Sequence, residues 1–320
     1  MKIPFERTVA GAYRFAFANI LSILGIGWFP VVLLGLIFAG LVYTLLPQLT
    51  ALTNIDPSRV DAKEIVALVF PMAGASLVFV AAAFIVQAML LVGIVRKAFG
   101  QPPGPVFFFF SLGAQVWRMI GAYLLLMLLS WGVIIALALG ISTISFLLSK
   151  ISGGVQVLVT TVLICAAIVW GIYAVVRVQF FLPAVVVAEN HIGIRRSWHL
   201  GRGNFWRIIG IVIVMILPAG IALSTVNSVI LQMAHSPNLM MMQGWPPNPS
   251  HPQLTAEELK QYFAALFSAL RVTWPYLAAA ELVYVTVVTG LHASAVANAY
   301  NLVTGAPEIA PASGSTKATA

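Results

Sequence analysis

The amino-acid sequence predicts an all-α fold: an integral membrane bundle of six transmembrane helices. Composition is the first reason. Of 320 residues, 61% are hydrophobic and 8% charged, and the mean hydropathy is +0.99. A soluble domain carries roughly 25% charged residues, and it could not hide this much apolar surface from water. The second reason is distribution. About 20 apolar residues at a rise of 1.5 Å cross a hydrocarbon core of about 30 Å. Six runs qualify, at 20–46, 66–95, 117–148, 155–182, 207–233 and 274–302. Each must be helical, because lipid does not tolerate unpaired backbone groups, and the alternating pattern of a membrane barrel is absent.

Ahead of the first span, Glu6, Arg7 and Arg14 follow an amphipathic pattern. The run at 20–46 exceeds the roughly 7–15 apolar residues of a secretion signal, so it reads as a retained span. Pro30, Pro71 and Pro218 interrupt spans one, two and five, where each removes a donor and kinks its helix. Gly35 with Gly40, and the run Ala278 to Ala280, suggest close helix packing. Spans three and four are joined by "SKISGG", which makes them a tight antiparallel hairpin. Cys165, the single cysteine, lies in span four and reads as a small buried hydrophobe. Before the sixth span, "TAEELKQYFAALFSALR" predicts a separate amphipathic helix, with Thr255 as N-cap and Glu258 completing a capping box. Residues 1–303 therefore form the membrane domain, and 304–320 a small, polar tail expected to be disordered.

The cations are distributed unevenly. Twelve Lys and Arg fall on the side that holds both termini and the even-numbered connections, against five on the other. The five are offset by Asp56, Asp61, Glu64, Glu257 and Glu258. The positive-inside rule then places both termini in the cytoplasm. The net charge of +8 follows from this topology and implies no nucleic acid.

The fourth connection concentrates the charge. "RRSWHLGRGNFWRI" starts at Arg195. On a helix, Ile194, Trp198, Gly201 and Phe205 share one face, and Arg195, Arg196, His199 and Arg202 the other. That is an in-plane interfacial helix, expected to end at Gly201 and Gly203, with Asn204 capping span five. Arg195, Arg196, Arg202 and Arg207, with Trp198, are candidate lipid-headgroup contacts. Near an anionic surface each cation contributes about 1 kcal/mol. Anionic membrane lipids are thus the expected partners.

The arrangement repeats. "NILSILG", "QVWRMIG" and "NFWRIIG" begin at Asn19, Gln115 and Asn204, each with Gly six residues on and an aromatic (Tyr13, Phe109, Trp198) six residues before. This predicts three units, each an amphipathic elbow followed by a helix hairpin.

Few residues could carry chemistry. Glu281 and His292, eleven apart on one helical face, form a candidate intramembrane polar site. Gln87, Gln179 and Asn227 read as interhelical hydrogen bonds. Met240, Met241 and Met242 with His235 and His251 offer soft ligands, but three consecutive Met converge poorly on one ion. No G-x-S-x-G, P-loop or H-E-x-x-H occurs, and no cofactor is implied.

"RVQFFLPAVVVAEN" followed by "RRSWHLGRGNFWRI" resembles bacterial multi-pass inner-membrane proteins of uncharacterised role. These are related to the membrane domain of some glycerophosphoryl diester phosphodiesterases. The residues that carry the resemblance are Arg177, Pro183, Glu189, Ser197, Trp198, Leu200, Gly203, Asn204 and Trp206. Gly201 departs from the family pattern, which has Thr or a similar residue there. In that family hydrolysis belongs to a separate soluble domain, so the resemblance implies no phosphodiesterase activity here. It implies a bacterial cytoplasmic membrane and a connection to envelope lipids. Glu189 is expected to pair with Arg195, Arg196 or Arg177, and Arg177 with Glu189 forms a candidate clasp on the elbow. The functional expectation is a non-enzymatic membrane component, an envelope or lipid-related scaffold or accessory. Transport of a lipid or small amphiphile is the alternative. A membrane-embedded enzyme would need carboxylates or histidines that meet in space.

Overall fold

The computed structural model describes residues 2–52, 62–101, 109–150, 153–233 and 256–305, almost all of them helical. In chain order the helices are α1 (Phe5–Ala18), α2 (Ile20–Leu52), α3 (Ala62–Ala98), α4 (Ala114–Ser149) and α5 (Gly153–Gln179). There follow α6 (Leu182–Glu189), α7 (Ile194–Leu200), α8 (Phe205–Met233) and α9 (Ala256–Thr304). Among the described residues, six stretches are long and apolar enough to cross a membrane: Ile20–Leu45, Val69–Ala98, Ala114–Ser149, Gly153–Glu189, Phe205–Ile230 and Thr273–Thr304. The chain is an all-α membrane bundle.

α1 is the first elbow. Thr8, Ala12 and Ala16, spaced by four, are its buried residues, while Glu6, Arg7 and Arg14 face outward. The helix lies against α9: Ser294 donates to the Ala12 carbonyl at 3.3 Å, and Gly11 leaves room for Asn298, which a Cβ would approach to 3.2 Å. Asn19 ends α1 and donates to the Phe15 carbonyl at 3.0 Å. α2 and α3 then form a hairpin, α4 and α5 a second, α8 and α9 a third. α6 and α7 form the elbow of the third unit. Before α4, residues 109–113 are not helical, and 102–108 fall outside the described residues. An amphipathic elbow is therefore present in the first and third units.

The core sits at one end, the end that carries the arginines. Ile23, Ile26, Met89, Leu90, Ile94, Met119, Ile208 and Ile211 are fully buried there, together with most of α6 and the last turns of α9. Much of α4 and α5 has no such cover: Leu128, Leu139, Phe146, Val157, Leu158 and Val169 all lie exposed. Water would make that arrangement costly, whereas acyl chains solvate leucine as well as another helix does.

Close helix approach occurs at glycines other than the expected ones. Gly35 and Gly40 meet nothing within 4 Å. The crossings lie instead at Gly27, where a Cβ would come within 2.6 Å of the Thr286 hydroxyl, at Gly93 under Phe109, and at Gly290 against Ile23. Cys165 is exposed rather than buried, because it lies on the bare outer part of α5. The expected separate amphipathic helix and the sixth span are one helix, α9, which runs 49 residues through Pro275. Pro71 and Pro218 likewise lie inside α3 and α8. The methionine and histidine cluster at 235–251, Thr255, and residues 306–320 of the tail fall outside the described residues.

Candidate functional site

The site is the base of the bundle, built by α5, α6 and α7. "LPAVVVAE" is apolar all round, and such a helix must be buried. Leu182, Ala184, Val185 and Val186 are fully enclosed, with α6 packed against α3, α4 and α9. Pro183 opens it, where a missing N–H costs nothing. Asn190 closes it in the left-handed region at φ 57°. The start of α4 holds its end: Gln115 donates to the Val187 carbonyl at 3.3 Å, and Arg118 donates to the Asn190 side chain. Gly193 lets the chain turn back, since a Cβ there would overlap Val185.

α7 then runs with Ser197 and Leu200 inward, and with Arg195, Arg196 and His199 outward. It ends at Gly201, and Gly203 adopts φ 74°, as the glycine spacing predicted. Arg177 locks its inner face. This arginine is buried, donates Nε to the Trp198 carbonyl at 2.9 Å and Nη1 to the Tyr173 hydroxyl at 3.0 Å. Its guanidinium lies 4.0 Å from the Trp198 ring centroid, a cation–π contact. Gly201 is required by the same lock, because a Cβ there would lie 2.6 Å from the Arg177 Cγ and also overlap its carbonyl oxygen.

Glu189 belongs to a second contact. It accepts from Arg196 Nε at 3.0 Å and from the Tyr300 hydroxyl at 2.9 Å, with His191 Nε2 at 3.8 Å. It therefore ties α6 and α7 to the end of α9. The predicted clasp residues act in two separate clasps, Arg177 on Trp198 and Glu189 on Arg196.

The four arginines also divide. Arg207 donates to the Ile3 carbonyl at 2.8 Å, while Asn204 Oδ1 accepts from the Ile3 N–H at 2.8 Å. Together they hold the start of the chain against α8, with Ile3 fully buried. Arg196 and Arg202 line a polar cup of about 390 Å³ with His199 and Thr304. Arg195 and Trp198 face a different space. They stand at the base of an apolar cavity of about 1190 Å³ whose walls are α4 and α5. Pockets for drug-sized ligands span about 300–1,000 Å³, and this open groove lies slightly above that range.

Glu281 and His292 are not brought together. Glu281 is exposed. It stands eleven residues from His292, about 16 Å along the helix. His292 is partly buried and packs edge-on against Phe180, with ring centroids 6.1 Å apart. Among the described residues, no three His, Cys, Asp or Glu side chains gather as a metal site would need.

No family model matches the chain, and no curated protein or solved structure was found similar to it. The geometry alone carries the functional reading. Sequence reasoning missed the α4–α5 cavity and the grip on Ile3. The cavity had a faint signal in the small residues Gly171, Ala138 and Ala174, which line it. The grip had none, since it joins residues some two hundred positions apart.

Proposed function

We propose that this chain is a non-enzymatic component of a bacterial cytoplasmic membrane, with both termini in the cytoplasm, that binds anionic lipid at its cytoplasmic face. Its role is that of an envelope or lipid-related scaffold or accessory protein, in keeping with the resemblance of its α5–α8 segment. One observation carries the reading. α7 has its inner face locked to the bundle by Arg177, and its outer face presents Arg195, Arg196 and His199, followed by Arg202. A helix pinned in that manner holds its cations at headgroup depth at no further ordering cost. Transport of a lipid or small amphiphile is a second reading, favoured by the apolar cavity above Arg195.

The test is mass spectrometry of lipids that co-purify with the full chain in native-lipid nanodiscs. Wild type is compared with Arg195→Ala/Arg196→Ala/Arg202→Ala. One anionic lipid class enriched with wild type and lost with the variant is the expected result. Bulk lipid composition with both proteins would leave the arginines as topology and anchoring determinants, and the reading would fall.

A further inference from the structure

The α4–α5 cavity has a shape that a generic headgroup patch does not need. Its α4 wall runs from Leu125 to Ser142, which is about 25 Å of helix. A helix tilted by as much as 40° would still give this wall a depth of about 19 Å. One leaflet is half of a core of about 30 Å, or about 15 Å. The wall therefore passes the bilayer midplane. Just above its upper end, Gln156 donates to the Ser145 hydroxyl at 3.0 Å and ties the two helices together. That contact lies beyond the last residues that line the groove on each helix, Ser142 and Ile164. At the other end stand Arg195, exposed, and Trp198.

We infer that the groove holds a phosphate-headed lipid with one apolar tail longer than a leaflet, of the polyprenyl phosphate class. The phosphate meets Arg195, and the tail follows α4 and α5 past the midplane. Charge complementarity selects the head, since among the described residues no acidic one lines the space. Length selects the tail. An ordinary acyl chain ends near the midplane and leaves the upper wall to a lipid from the opposite leaflet. A single long tail covers it without a break. The inference rests on the lipid-binding reading above and narrows it to one occupant.

Gly171 supplies the test. It lines the groove, and a Cβ there meets nothing within 4 Å. Gly171→Leu therefore puts a side chain into open space and also improves helix propensity, so the variant folds. Gly171→Ala serves as control, and melting in detergent verifies both. The full chain is titrated with undecaprenyl phosphate, dioleoyl phosphatidic acid and dioleoyl phosphatidylglycerol, and occupancy is read by native mass spectrometry. Phosphatidic acid carries the same phosphate monoester on shorter tails. Wild type is expected to favour undecaprenyl phosphate over phosphatidic acid by about tenfold. Gly171→Leu should bring the two within about twofold, and Arg195→Ala should weaken both by about tenfold. Equal binding of all three lipids, or a preference that survives Gly171→Leu, overturns the inference and leaves the lipid-binding reading standing. No binding of any of them overturns both. A dimer that excludes lipid would assign the groove to a second copy and overturn the inference.

Discussion

Replacing Arg177 with alanine should release α7 from the bundle. The guanidinium is buried and makes a charge-assisted bond to the Trp198 carbonyl at 2.9 Å, with its centre 4.0 Å from the Trp198 ring. Such a hydrogen bond contributes about 1.5–3 kcal/mol, and the cation–π contact about 0.5–2 kcal/mol. The two overlap, so a loss of about 3 kcal/mol is a fair working value. It falls on local opening of α7, which Arg196 still ties to Glu189, while α6 and α8 hold the rest of the base. At 1.4 kcal/mol per decade, the open population of α7 rises roughly a hundredfold. Limited trypsin digestion in nanodiscs reads this directly. The exposed Arg195, Arg196 and Arg202 are cut only when the segment leaves the surface, and the rate follows the open fraction when opening is fast. Arg177→Lys keeps the charge but loses the fork and most of the stacking, and should fall between. A change of less than about threefold at these arginines would refute the lock. So would equal acceleration at every tryptic site, which would mean global unfolding.

Three further outcomes follow from the same geometry. Glu189→Gln weakens the links to Arg196 and Tyr300; the first is half-exposed, so the total loss is about 1–2 kcal/mol, read as a lower melting temperature. Gly27→Ala forces a methyl group against Thr286 at the α2–α9 crossing and costs about 1–3 kcal/mol, whereas Gly35→Ala, in open space, should be neutral or stabilising by up to about 1 kcal/mol; equal melting of the two variants would contradict the crossing. Asn204→Ala removes the acceptor for the Ile3 N–H and should speed hydrogen exchange at that amide by at least about tenfold while α4 and α5 keep wild-type protection.

Membrane class, the six apolar spans and the end of α7 were legible in the sequence because they depend on local pattern. A run of apolar residues must span lipid wherever its neighbours lie, and Gly201 and Gly203 end a helix by their own backbone freedom. The amphipathic face of α1 was legible for the same reason. The lateral arrangement was not. Lipid is as apolar as leucine, so hydropathy does not say which faces of α4 and α5 meet protein and which meet acyl chains. It hid the groove and misplaced the close contacts at Gly35 and Gly40. Charges were similarly ambiguous. Glu189 had Arg177, Arg195 and Arg196 within reach along the chain; in the fold it pairs with Arg196, with Tyr300 of α9 beside it. Glu281 and His292 share a helical face by count alone. Their surroundings differ, since His292 lies partly buried beside Phe180 and Glu281 is exposed, and packing rather than position in the sequence sets that difference. The sequence by itself determined what must lie in the membrane and where the elbow helix stops, since both are properties of a short segment. Which arginine grips the elbow, which faces the groove and which holds the N-terminus were decided by tertiary structure, since each depends on partners far apart in the chain.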